Sequence, residues 1–353
     1  MRRAAFALLP MSLLLLTVEV AVRITGGGHP ADVTVDALQM APHTTRIWSL
    51  VPGEGSLAGV PHTIGEDTLR VVAETGADLR VLTLGDSSIF GHGVVDADTL
   101  HANLAASLGE RGVSADVLCG GVPGYSTAQS LLLLDEVGWD LEPDLLVIGN
   151  LWSDNTFEYF VDSEWLAELH SPVRRLDRAL SWSAAWDWFR GLQEPEQAVE
   201  RAGLPISWVR EPYPTSEGRR RVPLEDYAAN LETMLLQAEA RGVGVIFLAP
   251  CNIHRLGESL PISIWDPYFE VMQLVADRRG VPVVQAVEAL RGAGLDVKAA
   301  FLDRMHPTGA GNRAYGEALA EALVAAGWPQ DRLVPDAGPG PVQVTIEDPF
   351  AAR

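Results

Sequence analysis

From residue 80 onward, short apolar runs rich in β-branched residues alternate with longer amphipathic stretches. The run at 145–151, Leu-Leu-Val-Ile-Gly-Asn-Leu, has almost no polar alternation. A strand with one wet face alternates with a period of two, so a run that is apolar at successive positions is a strand covered on both faces. Four more strands are expected at 80–84, 115–119, 243–248 and 281–285. Helices are expected between them at 99–111, 126–138, 224–241 and 265–279, with an alanine-rich one at 308–326. Leu100, Leu104 and Leu108 mark the first of these by helical spacing. Strands joined through helices make right-handed crossovers and a mainly parallel sheet. The expected fold class is therefore α/β, a three-layer sandwich around five strands.

Four regions stand outside this rhythm. Residues 1–28 begin with Arg2 and Arg3, followed by an apolar run at 4–18 that Pro10 interrupts and Glu19 and Arg23 close. The run is long for the apolar part of a signal peptide and slightly short for a span of about 20 residues. An uncleaved signal anchor, positive end inside, is the first reading and a cleaved signal peptide the second. A buried core helix is the alternative. In the first two cases the rest lies outside the cytoplasm, membrane-anchored through the N-terminal helix or secreted. Residues 29–79, rich in Gly, Pro and Thr, read as a linker and irregular extension. Within the domain at 80–328, residues 156–222 form an insertion holding Trp165, Trp182, Trp186, Trp188 and Trp208, with arginines at 174, 175, 178 and 219–221. It is either an enlarged core or a lid or substrate platform. The tail at 329–353 reads as a surface extension.

The chain carries 47 acidic residues against 26 Lys plus Arg, a formal charge of −21. Such a surface repels phosphate backbones, which argues against a nucleic-acid partner. Cys119 and Cys251 each follow a strand and are expected as free, buried thiols. The eight histidines show no His-x-His or His-Glu-x-x-His spacing, so neither a metal site nor a cofactor is expected.

The first strand runs into Gly85-Asp86-Ser87, placing Ser87 at the carboxyl end of a strand, where open α/β sheets bind ligands. Ser87 there is either a nucleophile or an ordinary helix N-cap. Far along the chain, Asp303 and His306 stand three residues apart, so the carboxylate can hold one ring nitrogen while the other faces a serine. His92 is a rival base without a visible acid beside it.

The order Ser87, Asp303, His306 resembles the SGNH (GDSL-type) serine hydrolases. Gly85-Asp86-Ser87-Ser88 is similar to that family's first block, Gly120 to Thr127 to its second, and Asp303-Arg304-Met305-His306-Pro307 to its fifth. The resemblance implies a flavodoxin-like sandwich, Ser87 as nucleophile and an oxyanion hole fed by the Ser87 and Gly124 N–H groups. The third block departs. Its asparagine position is taken by Ser153 and its aspartate position by Asp154, which leaves Ser153 or Asn155 as the side-chain donor. Asn150 lies on the opposite strand face. The resemblance implies a carboxylic ester hydrolase that removes acetyl or other acyl groups from a glycan, lipid or small ester. An O-acyltransferase using the same residues and a catalytically weak binding module are the alternatives.

Overall fold

The computed structural model describes residues 16–25, 33–35, 38–72, 75–158, 160–169, 171–180, 182–186, 188, 219–257, 264–336, 338 and 340–348. Five strands, β1 (Leu79–Gly85), β2 (Ala115–Gly121), β3 (Leu145–Ile148), β4 (Gly244–Ala249) and β5 (Val283–Gln285), form one sheet. They lie in the order β5-β4-β3-β1-β2 and all pairs are parallel. This is the flavodoxin-like order, and its switch point lies between β1 and β3. The loops after those two strands therefore diverge across one crevice.

Successive residues of the central strands enter different cores, which explains their unbroken apolar character. Leu82, Leu84, Leu146, Ile148, Val245 and Phe247 belong to one buried cluster with helices α3 (Thr127–Glu136), α4 (Leu224–Arg241) and α5 (Asp266–Arg279). Val81, Leu145, Val147, Ile246 and Leu248 belong to a second, with α2 (Leu100–Glu110), α6 (Ala286–Gly292) and α7 (Gly309–Ala325). The helices start at side-chain caps. Thr99 accepts from Ala102 N–H, Ser126 and Gln129 form a capping box, and Thr308 accepts from Gly311 N–H. β3 is shorter than its apolar run. Gly149 N–H still reaches Leu84 O, but at Leu151 the chain folds into a turn that Asn155 N–H closes onto the Leu151 carbonyl.

The stretch at 29–79, expected as irregular, contains antiparallel structure. Val33–Val35, Leu38–His43 and Ile47–Leu50 form a three-stranded sheet, and Gly53–Leu57 pairs with Val60–Ile64. It packs against the site loops. Tyr125 Oη donates to Trp48 O at 2.6 Å, and the buried Arg70 donates to the carbonyls of Phe90, Gly91 and Val94.

The ends of the insertion are pinned together where Phe157–Glu158 pairs with Arg219–Arg220. Between them, Trp165 is buried against Phe160 while Trp182 and Trp188 are exposed; Trp208 lies outside the described residues. The tail is tied down by a buried Arg220–Asp348 ion pair at 2.8 Å and by Val342 N–H on Glu232. Residues 16–25 are helical, whereas 1–15, most of the expected anchor, lie outside the described residues. Among the described residues no helix is long and apolar enough to cross a membrane.

Candidate active site

β1 delivers Asp86 and Ser87 into a single helical turn, α1 (Ser87–Phe90). Asp86, rather than Ser87, is its N-cap, accepting from Ser88 N–H at 2.9 Å. Ser87 is thereby released from the capping role that its position also allowed. The turn sits directly on the end of β2: a Cβ on Gly121 would lie 2.4 Å from Phe90 N, so only glycine fits there. Burial raises the Asp86 carboxyl, against its bond from Ser88 N–H, the charge of His306 and the nearby N–H groups of Ser153 and Trp152. The loop after β3 therefore stands beside the loop after β1, across the switch point.

Residues 301–307 supply the other two groups. This segment is a tight loop rather than a helical turn, closed by Leu302 N–H on His306 O and a bridge between Phe301 and Pro307. The structure brings the three sequence candidates together. Ser87 Oγ lies 2.8 Å from His306 Nε2, and His306 Nδ1 lies 2.6 Å from Asp303 Oδ2. Asp303 Oδ1 accepts from the N–H groups of Met305 and His306, both at 2.9 Å. Partial burial would raise the Asp303 carboxyl, but the His306 hydrogen bond and charge and those two N–H donors hold it well below the usual carboxylate range. An ionised carboxylate only accepts, so Nδ1 carries the ring proton and Nε2 offers its lone pair to the Ser87 hydroxyl.

The oxyanion candidates differ from one another. Gly124 has φ +79° in the turn after β2, and among the described residues its N–H makes no hydrogen bond. The Ser153 hydroxyl is likewise without a partner among the described residues, in a residue 8% exposed. Asn155 is committed elsewhere, since Nδ2 donates to Leu151 O at 2.8 Å within its own turn. Asn150 is buried away from the site, bonded to Ser130 and to Tyr227. Asp154 caps α3 by accepting from Thr127 N–H and Oγ1, and burial pushes its carboxyl up to about 7 against those two bonds.

Two features were not legible beforehand. His92 stacks on His306, with ring centroids 4.0 Å apart and planes 19° from parallel. His92, Asp303 and His306 offer ligand atoms within 4.8 Å of one another. A cation could use His306 only by displacing one of its two hydrogen bonds. The second feature is Arg221, at the end of the insertion. Its buried guanidinium bonds Asp162 at 2.7 Å, the Gly124 carbonyl at 2.5 Å and Gln129 Oε1. In the sequence it belongs to a run of three arginines, which resembles a solvated patch. Beside the relay, Trp152, Asn155, His254, Trp265 and Met305 help line a cavity of about 40 Å³.

No protein-family model and no curated protein matches this sequence. Solved structures overlap with it at low identity. A lipase/acylhydrolase from Enterococcus faecalis is 16% identical at a TM-score of 0.45, over 70% of this chain and 96% of that one. An acetylxylan esterase from Geobacillus stearothermophilus is 17% identical at 0.44, over 72% and 97%. An alpha/beta hydrolase from the metagenome of Lake Arreo, Spain, is 19% identical at 0.43, over 71% and 95%. At such scores these overlaps carry no weight for the chemistry, which is left to the chain's own residues.

Proposed function

We propose that this chain is a serine ester hydrolase of the SGNH type. The observation that carries the proposal is the continuous relay from Ser87 through His306 to Asp303, at 2.8 and 2.6 Å. Ser87 Oγ attacks the ester carbonyl carbon as His306 Nε2 takes its proton. Asp303 holds the resulting imidazolium through Nδ1–H. The oxyanion of the tetrahedral intermediate is met by the N–H groups of Ser87 and Gly124 and by the Ser153 hydroxyl. One such donor is worth about 3 to 4 kcal/mol in the transition state. Ser153 is preferred to Asn155 because the Asn155 amide is engaged with Leu151 O. The leaving alkoxide takes the proton from Nε2. Water, deprotonated by His306 in turn, then releases the acid from Ser87.

The intact relay argues against a catalytically weak binding module. The N-terminal 28 residues act as a signal anchor that holds the domain at the outer side of a membrane, supported by Arg2, Arg3 and the apolar run at 4–18. The test is hydrolysis of p-nitrophenyl acetate, butyrate and octanoate by the wild type and Ser87→Ala. Turnover that disappears in Ser87→Ala supports the proposal, and the chain-length profile reports the acyl group. Equal turnover in both proteins, or none in either, refutes it.

A further inference from the structure

Among the described residues, eight of the fourteen exposed large apolar side chains fall in two stretches, 16–24 and 173–188. On helix 16–25, Leu16, Val20 and Ile24 share one face by their spacing of four, and Leu16 and Ile24 are 60% and 80% exposed. In the insertion, Leu176, Trp182 and Trp188 are exposed, Trp182 to 65%. The stretches are distant in sequence and are joined by a set of polar bonds. The Glu19 carboxylate accepts from Ser183 Oγ at 2.6 Å and from the N–H groups of Ala184 and Ala185 at 3.0 and 3.1 Å. Arg23, paired with Glu19, donates to Trp182 O at 2.6 Å. Glu19 and Arg23 are thus spent on the 182–185 backbone and Ser183, while apolar side chains of both stretches face outward.

We propose that helix 16–25 and the segment at 172–188 form a single face that lies in the headgroup layer of a bilayer containing anionic phospholipid. The proposal rests on the anchor reading of residues 1–28. Three observations favour a bilayer over a second copy of the chain. Helix 16–25 continues directly from the apolar run at 4–18, so its outward face lies where that run would leave the membrane. Exposed indoles favour the membrane–water boundary, where a flat apolar ring and a polar N–H are both satisfied. Residues 172–180 carry three arginines and one aspartate in a chain of net charge −21, a local reversal of sign that suits acidic headgroups. The insertion thereby becomes a second membrane contact beside the anchor, fixing the domain's tilt instead of leaving it on a free tether.

The test uses the full chain reconstituted in vesicles of phosphatidylcholine and phosphatidylglycerol. Nitroxides are placed at Leu176→Cys and Trp182→Cys, with Leu236→Cys on α4 as an exposed control, in a background where Cys119 and Cys251 are replaced by Ser. Flotation with the vesicles reports the anchor, and the ratio of oxygen to nickel-chelate accessibility reports label depth. Flotation with a ratio severalfold higher at 176 and 182 than at 236 supports the proposal. Flotation with equal ratios at all three sites overturns it and leaves the anchor standing. Failure to float, with aqueous labels, overturns both. Spin–spin broadening between copies at 176 or 182 overturns it in favour of self-association.

Discussion

Asp303→Asn isolates what the carboxylate contributes. In the native loop, Oδ1 accepts two N–H groups at 2.9 Å and Oδ2 accepts from His306 Nδ1 at 2.6 Å. An asparagine has one acceptor oxygen, and the two backbone donors draw it to the Oδ1 position. The opposite orientation would turn both donors over to solvent, losing two hydrogen bonds worth about 0.5 to 1.5 kcal/mol each. The amide NH2 group therefore faces Nδ1, which must become the unprotonated nitrogen. The ring proton moves to Nε2 and points at Ser87, so the base presents a donor where it needs a lone pair. A wrong tautomer of this kind costs on the order of 10⁴ in kcat, about 5.4 kcal/mol at 1.36 per decade. The assay is kcat for p-nitrophenyl acetate at pH 8, with far-UV circular dichroism and Tm to show that the fold survives. A folded Asp303→Asn protein that keeps more than about one-tenth of the wild-type kcat would refute the tautomer argument.

Arg221→Met leaves the Asp162 carboxylate buried without its partner, at a cost of about 3 to 5 kcal/mol. Thermal unfolding should show a Tm lower by roughly 10 °C, with partial recovery in Arg221→Met/Asp162→Asn. Burial lifts the Asp154 carboxyl to about 7, so the folded state holds this proton longer than the unfolded chain does. Its contribution to stability therefore falls as pH rises from about 4 towards 7, and Asp154→Asn should flatten the denaturant midpoint over that window; an unchanged slope would count against it. Burial pushes the thiols of Cys119 and Cys251 up to about 12. Ellman's reagent at pH 8 should modify neither in the native protein and both in guanidinium, whereas rapid native modification would contradict the buried placement.

The parallel sheet was legible because β3 and β4 are buried on both faces, and that condition writes itself into sequence as a nearly unbroken apolar run. α4 runs over Leu224–Arg241, the range expected, because an apolar stripe and a glycine at 242 bound it. The antiparallel pieces at 33–64 were not legible. Their strands are only three to six residues long and carry Pro, Gly and His, so no period of two emerges. Ser87 and His306 could be found because each sits close to an element boundary marked by glycine or proline, and Asp303 by its spacing of three from His306. His92 on the face of His306, and Arg221 on the Gly124 carbonyl, are meetings of residues more than 90 positions apart. Neither residue has a local signal, since an isolated His between glycines and a run of arginines occur in any solvated loop.

The bond from Arg221 to the Gly124 carbonyl bears on modularity. An inserted segment is ordinarily removable, since its two ends lie close together and the host can be resealed across the gap. Here the ends do lie close, but the last residues of the insertion are wedged under the turn that presents the Gly124 N–H. Asp162, also from the insertion, reaches Ser126 at the start of α3 on the other side of that turn. A chain resealed across residues 156–222 would keep Ser87, His306 and Asp303, yet lose the brace beneath the turn after β2. The segment has become a structural subunit of the host, and grafting or swapping it would have to carry Asp162 and Arg221 along.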